Sequence, residues 1–231
     1  MFLGIIKMVN NIKKGRVYGT YEDNDNNIYT ENLVWNHKTY NEKLVEFRGK
    51  QYRLWDPYRS KIGAFIRKGK KVKLHNRMNV LYLGASTGTT VSHVSDIMTK
   101  GNIFAVEFGP RVFRDLYLEC EYRDNILPIL DDANKPKNYL DIVTEVDFLF
   151  QDVAQKNQVE IFSKNAKYFL KNNSLAMISI KARSIDSTKK PKKVFRDVKK
   201  KLKSNKFEII DSLSLNPYEK DHEMIVCSYN Y

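Results

Sequence analysis

From Asn79 onward, short apolar runs rich in Val, Ile, Leu and Phe alternate with longer stretches in which apolar residues recur every three or four positions. The runs are Val80–Leu83, Ile103–Val106, Ile126–Leu130, Val146–Phe150 and Leu175–Ile180, and the longer stretches include Thr90–Thr99, Arg111–Arg123, Val159–Leu170 and Val194–Ser204. Unbroken apolar runs of this length are the mark of strands buried on both faces, and the helices between them supply the crossovers that parallel pairing requires. The pattern predicts an α/β fold built on a mainly parallel sheet. Phe207–Leu215 and Glu223–Tyr229, joined by the polar segment 216–222, predict two antiparallel strands added at one edge.

The first 55 residues read differently. Arg16–Tyr21 and Ile28–Val34 flank a polar turn at 22–27, and Lys43–Phe47 and Gln51–Trp55 flank Arg48-Gly49-Lys50, the pattern of two β-hairpins. Pro57 disfavours helix at Asp56, after which Ser60–Arg67 takes up helical spacing until Gly69. The boundary therefore falls near residue 56, giving an N-terminal β-hairpin domain over 1–55 and a larger α/β domain over 56–231.

An apolar share of 42% with 29% charged residues is ordinary for a globular protein and excludes a disordered or fibrous chain. The charge balance is unusual, with 40 Lys and Arg against 27 Asp and Glu, a net +13. Residues 61–77 carry +7 with no acid, and residues 189–206 carry +9, so the excess is concentrated in two segments. A lysine-rich helix is most often a solvated face, and Val194, Val198 and Leu202 would anchor its other side; two such clusters in one chain favour contact with a polyanion. Cys120 and Cys227 stand in no metal-ligand spacing and read as buried or half-buried thiols. The apolar opening Met1–Val9 lacks the basic leader and cleavage site of a signal peptide, and no stretch reaches the length of a membrane span, so a cytoplasmic protein is expected.

In an open α/β sheet ligands bind beyond the carboxyl ends of the strands, which makes the strand-ending residues the ones that matter. The first strand runs into Gly84-Ala-Ser-Thr-Gly88-Thr89-Thr90, a turn that admits a ligand close to the backbone and aims a helix N-terminus at it. The second ends in Glu107, at the spacing where an acid accepts hydrogen bonds from a ribose diol. The others end in Asp131-Asp132-Ala133, in Asp152-Val-Ala-Gln155 and in Lys181. The segment Gly84-Ala-Ser86-Thr-Gly88 also matches the nucleophile elbow of serine α/β-hydrolases, and Ser86, Asp152 and His222 fall in triad order. A hydrolase, however, gives no reason for Glu107, for Lys181 or for a basic surface.

Several longer segments carry a resemblance. Trp55-Asp-Pro-Tyr-Arg-Ser-Lys61, the run Val80–Asp96, Ala105-Val-Glu-Phe108, Asp152-Val-Ala-Gln155, Ile178-Ser-Ile-Lys-Ala-Arg183, Ile185-Asp-Ser-Thr188 and Pro217-Tyr-Glu-Lys-Asp-His222 resemble, in order, the signatures of fibrillarin in its short archaeal form. The resemblance implies a Rossmann-like S-adenosylmethionine-dependent methyltransferase fold with a small N-terminal β-domain, and transfer of methyl groups to ribose 2′-hydroxyls of rRNA and tRNA. Carried over residue by residue, it implies S-adenosylmethionine contacts from Gly84, Ala85, Thr89, Thr90, Glu107, Phe108, Asp132, Ala133, Asp152 and Gln155, with Asp131 left to turn capping.

It also implies a catalytic set of Lys61, Asp152, Lys181 and His222, with no metal. The sulfonium methyl is already activated, so such a site has chiefly to align it with a hydroxyl and accept a proton. Lys181 is the expected base, its pKa lowered by a second cation and its amine oriented by Asp152. The implied partners are a box C/D guide RNA and its target RNA, a Nop-type scaffold protein and a kink-turn-binding subunit related to a ribosomal protein. Tyr18, Tyr21 and Tyr29 are expected to be exposed toward the scaffold, and Trp35 to be packed in the core. A non-catalytic RNA-binding scaffold subunit with the same fold is the other reading.

Overall fold

Hairpin chemistry sets the N-terminal sheet. The computed structural model describes residues 7–8 and 11–230, so the opening segment 1–9 lies outside the described residues except for Lys7 and Met8. Strands β1 (Lys7–Met8), β2 (Lys13–Lys14), β3 (Thr20–Glu22), β4 (Ile28–Glu31), β5 (Leu44–Phe47) and β6 (Lys50–Leu54) form one sheet in the order β1-β5-β6-β4-β3-β2. Phe47 pairs with Lys50, which leaves Arg48 and Gly49 as a two-residue loop with φ of 51° and 74°. Positive φ at both positions is the turn whose twist matches that of the flanking strands. The strand expected from Arg16 begins only at Thr20. Residues 15–20 fold into a turn instead, the Gly15 N–H donating to the Thr20 carbonyl and the Thr20 N–H to that of Val17.

Two expectations for this region are overturned. Tyr29 is buried, 1% exposed, with its hydroxyl donating to Asp23, whereas Trp35 is 54% exposed. Tyr29 lies in β4 between two packed elements, but Trp35 lies beyond the strand, in a turn closed by the His37 N–H on the Val34 carbonyl.

The second sheet contains β7 (Val80–Leu83), β8 (Ile103–Glu107), β9 (Ile126–Leu130), β10 (Val146–Gln151), β11 (Leu170–Lys181), β12 (Phe207–Ser214) and β13 (His222–Tyr229). Its order is β12-β13-β11-β10-β7-β8-β9, parallel from β11 to β9, with β13 antiparallel to both β11 and β12. Alternate residues serve opposite faces. Leu81 and Leu83 pack with Val159 and Phe162 of α4 (Gln158–Phe169) and with Val194, Val198 and Leu202 of α6 (Pro191–Ser204). Val80 and Tyr82 pack with Phe65 of α1 (Lys61–Arg67), Val94 of α2 (Thr89–Ile97) and Leu116 of α3 (Pro110–Cys120). Both faces are therefore apolar, as unbroken hydrophobic strands require. A short α5 (Ala182–Ile185) follows β11. No helix among the described residues is long and apolar enough to cross a membrane.

A buried ionic network joins the two sheets. Arg53 of β6 donates to Glu42 (2.6 Å) and to Asp96 Oδ2 of α2 (2.9 Å), and Arg123 donates to Asp96 Oδ1 (2.7 Å) and to Glu119 (2.7 Å). Thr30 adds its hydroxyl to Asp96 Oδ2 at 2.6 Å, and the Leu33 N–H approaches Oδ1 at 3.3 Å. All four side chains of the two arginines, Glu42 and Asp96 are out of water. Beside them His93 is fully buried, stacked on Trp55 and bridged between Thr30 and Tyr40 at 2.7 Å each. Burial, reinforced by Arg53 and Arg123, holds its pKa well below the ordinary histidine value of 6.5.

Asp96→Asn replaces one carboxylate oxygen by an amide NH2 that faces an arginine on either side, and is expected to cost about 3–5 kcal/mol in urea unfolding, the usual penalty for breaking a buried pair. His93 has a separate signature. The unfolded chain binds a proton at this position below pH 6.5 and the folded chain does not, so stability is full above that pH and falls as the pH drops. His93→Gln should flatten the pH 5–6.5 stability slope by up to about 1.4 kcal/mol per pH unit, the value for one proton.

Candidate active site

The chain runs outward from β7 through β8 to β9 and then returns to β10 on the other side of β7, so the switch point lies between the ends of β7 and β10. There Gly84 has φ +83°, and a Cβ on it would lie 2.4 Å from the Asp152 carbonyl oxygen. Only glycine permits this approach. The turn continues through Ser86 (φ +51°, exposed) and Gly88 (φ +88°), which opens α2.

Backbone donors fix the acid that ends β8. Glu107 Oε2 accepts the Ser86 N–H at 2.8 Å and Oε1 accepts the Gly109 N–H at 2.7 Å, leaving each oxygen a second lone pair. A cleft of about 300 Å³ opens here, with Gly84, Glu107, Phe108, Ala133, Asp152 and Gln155 on its walls. Phe108 is 66% exposed, a large apolar face presented to the opening. Ala85, Thr89, Thr90 and Asp132 are not on these walls. Ala85 is buried under the turn, Thr89 is half-buried in the first turn of α2, and Thr90 is buried with its hydroxyl donating to Ser60 Oγ at 3.0 Å. Asp132 Oδ1 accepts the backbone and side-chain N–H groups of Asn134, while Asp131 caps Asp132 and Asn138 and itself borders the cleft.

Lys61 and Asp152 meet directly, Nζ to Oδ2 at 3.3 Å. Lys61 is the first residue of α1, whose N-cap Ser60 accepts the Gly63 N–H, and the Ser60–Thr90 bond ties this helix end to that of α2. Burial works against the Lys61 charge, but Asp152 and Glu219 outweigh it and hold the pKa above the usual lysine value. Burial pushes the Asp152 carboxyl above the usual aspartate value, with Lys61 and then His222 acting the other way. Lys181 and His222 are register partners at the ends of β11 and β13. The sequence reading has Asp152 orienting Lys181; the cation on this carboxylate is instead Lys61, and the exposed Lys181 ammonium forms no ion pair among the described residues.

Glu219 is missing from the sequence reading, yet its Oε1 lies 3.1 Å from Lys61 Nζ. The only signal for it was its place inside the segment Pro217–His222, since nothing in its spacing marks it as facing α1. The hydrolase triad has no counterpart in the geometry. His222 Nδ1 donates to the Lys220 carbonyl at 2.8 Å, Asp152 is held by Lys61, and no hydrogen bond joins Ser86 to His222 among the described residues.

The sequence model of the fibrillarin family matches residues 9–231. The fibrillarin-like rRNA/tRNA 2′-O-methyltransferase of Methanocaldococcus jannaschii is 50% identical over 200 residues, 86% of this chain and 87% of its own. The solved structure of Aeropyrum pernix fibrillarin in complex with natively bound S-adenosyl-L-methionine superposes with a TM-score of 0.87 at 40% identity, covering 96% of this chain and 100% of that one. A fibrillarin/Nop5p complex contains a chain that matches with a TM-score of 0.87 at 44% identity, covering 94% and 100%.

The close approach at Gly84 can be separated from the strain of its φ. Gly49 shares a positive φ, but a Cβ there meets nothing within 4 Å. Gly49→Ala is expected to cost only the left-handed strain, about 1–2 kcal/mol. Gly84→Ala adds the clash with Asp152, and a melting temperature lower than that of Gly49→Ala, read by circular dichroism, is the expected result.

Proposed function

The chain belongs to the fibrillarin family, and we propose that its glycine turn, its cleft and the Lys61–Asp152 pair are the working parts of an RNA 2′-O-methyltransferase. The activity is S-adenosylmethionine-dependent methyl transfer to ribose 2′-hydroxyls of rRNA and tRNA. The observation that carries the assignment of parts is the Lys61–Asp152 ion pair, one residue beyond β10 and against the Gly84 turn.

The residues fit the cofactor. The cleft reaches the backbone at a glycine whose Cβ would fill the space, and Glu107 keeps acceptor capacity for a diol. Gly84, Ala85, Thr89 and Thr90 would shape the methionine end, Glu107 would hold the ribose, Phe108 would flank the adenine, and Asp132 with Ala133 would read its edge. Asp152 and Gln155 would border the sulfonium. When bound there, S-adenosylmethionine supplies an activated methyl group. Lys61 stays beside Asp152 as its ion-pair partner; Lys181 accepts the proton that leaves the 2′-hydroxyl; and His222, which donates its Nδ1 N–H to the Lys220 carbonyl, turns Nε2 to the ribose.

The basic segments supply the phosphate contacts, though fewer cations are free than the sequence suggests. Lys70, Lys189, Lys199 and Lys201 are paired with Asp211, Asp186, Glu223 and Glu160. The exposed Lys190, Lys192, Lys193, Arg196, Lys200 and Lys203 form no ion pair among the described residues; Lys190 caps α6 and the others sit on it. A Nop-type scaffold and RNA are the partners. Within that assembly we assign target selection to a box C/D guide RNA and add a kink-turn-binding subunit, with residues 1–55 as the docking domain and the cytoplasm as the setting.

Lys181→Ala should lower single-turnover transfer by about 10²–10⁴-fold in an assembled guide complex, the range for a lost proton acceptor, while cofactor affinity by calorimetry stays unchanged. Lys181→Arg should not restore it, since guanidinium cannot become neutral near physiological pH. Substantial activity in the arginine variant would reduce Lys181 to an electrostatic clamp.

A further inference from the structure

Between β12 and β13 the chain makes a tight loop that aims one carboxylate back at α1. The N–H groups of Tyr218 and Glu219 both donate to the carbonyl of Leu215, which is itself fully buried, and the Leu215 N–H donates to the His222 carbonyl at 2.9 Å. Tyr218 lies edge-on against Tyr58, at 5.0 Å, on the approach to α1. Held in this way, Glu219 places Oε1 3.1 Å from Lys61 Nζ, and the three side chains of Lys61, Asp152 and Glu219 are each 24% exposed. The other group facing Glu219 is His222, whose Nδ1 is 3.8 Å from Oε2 but gives its proton to the Lys220 carbonyl at 2.8 Å. Glu219 thus has one close polar partner, and that partner is the cation of the reacting set.

We propose that Glu219 is a positioning residue for methyl transfer: it holds the Lys61 ammonium beside Asp152 as a second carboxylate, from the loop ahead of β13, and leaves proton acceptance to Lys181. The inference rests on reading Lys61, Asp152, Lys181 and His222 as the reacting set. A lysine amine on a four-carbon stem, held by one partly exposed carboxylate, samples many positions, and a single such pair contributes little to stability. Two carboxylates, from separate segments of the chain, confine it. The effect belongs to alignment rather than to folding, and misplacement by an ångström at a reacting centre is costly in rate. The second carboxylate also divides the work of two otherwise similar lysines. Lys61, with Asp152 and Glu219 at its amine, is held as a cation, whereas Lys181 carries no such anchor among the described residues.

Two measurements on Glu219→Gln and Glu219→Asp test this. The first is single-turnover transfer in the assembled guide complex at saturating cofactor. The second is competitive acetylation of the protein alone with acetic anhydride, with labelling at Lys61 and Lys181 counted by mass spectrometry. Glu219→Gln should retain cofactor affinity, transfer methyl groups about 10–100-fold more slowly, and label several-fold faster at Lys61 with Lys181 unchanged. Removing a carboxylate lowers the Lys61 pKa and exposes more free amine, which sets the direction. Glu219→Asp keeps the charge and should restore part of both properties. Unchanged transfer would overturn the proposal, as would slower transfer with unaltered Lys61 labelling, which would make the loop merely structural. Wild-type protein inactive in the complex would instead sink the underlying assignment, while the labelling would still decide whether Glu219 holds Lys61.

Discussion

One carboxylate, Asp96, accounts for the way the two sheets are held. Its two oxygens take Arg53 from the N-terminal sheet, Arg123 from the turn between α3 and β9, the Thr30 hydroxyl and the Leu33 N–H. Buried charge is tolerated only when it is answered on every side, and here the answers come from elements far apart in the chain. The network is therefore a statement about geometry more than about stability. It admits one seating of β4 and β6 on α2, because any slip leaves a guanidinium or a carboxylate without a partner.

That seating is passed on to the site. Asp96 lies on α2, whose opposite end is the Gly84–Gly88 turn, and the Thr90 hydroxyl there meets Ser60, the cap of α1. Lys61 is the next residue. A chain of short contacts thus runs from the buried network to the ammonium that meets Asp152, with little slack at any step. From the other side, β11 and β13 bring Lys181 and His222 into register, and the loop ahead of β13 brings Glu219. Lys61, Asp152 and Glu219 thus meet from three separate segments of the chain.

The strands of the large sheet were legible because burial on both faces leaves a plain mark, an unbroken apolar run such as Val80–Leu83 or Val146–Phe150. The glycine turn and Glu107 were legible from their places at strand ends. Asp96, Arg53 and Arg123 were not, since charged residues read as surface until their partners are known and those partners are remote in sequence. Tyr29 and Trp35 exchanged roles for a related reason. A hairpin pattern shows where a strand alternates but not what covers it, so an exposed tryptophan just past a strand end looks like a core residue. Glu219 was silent because its meaning depends on the fold of a seven-residue loop. The ion pair of Asp152 with Lys61 was not legible either, because Lys61 lies 91 positions away in the chain and nothing in the sequence says which lysine the carboxylate meets.

The position of β13 has a consequence for synthesis. This strand enters the sheet between β11 and β12, so until it is in place β11 presents an open edge and β12 has no neighbour. A chain still being made, released only as far as the end of β12, lacks both Glu219 and His222 and cannot close its sheet. Unpaired edges of this kind invite wrong pairings, which gives the growing chain a reason to be shielded. The last pairing of the sheet and the carboxylate that meets Lys61 therefore arrive together, with β13 and the loop ahead of it.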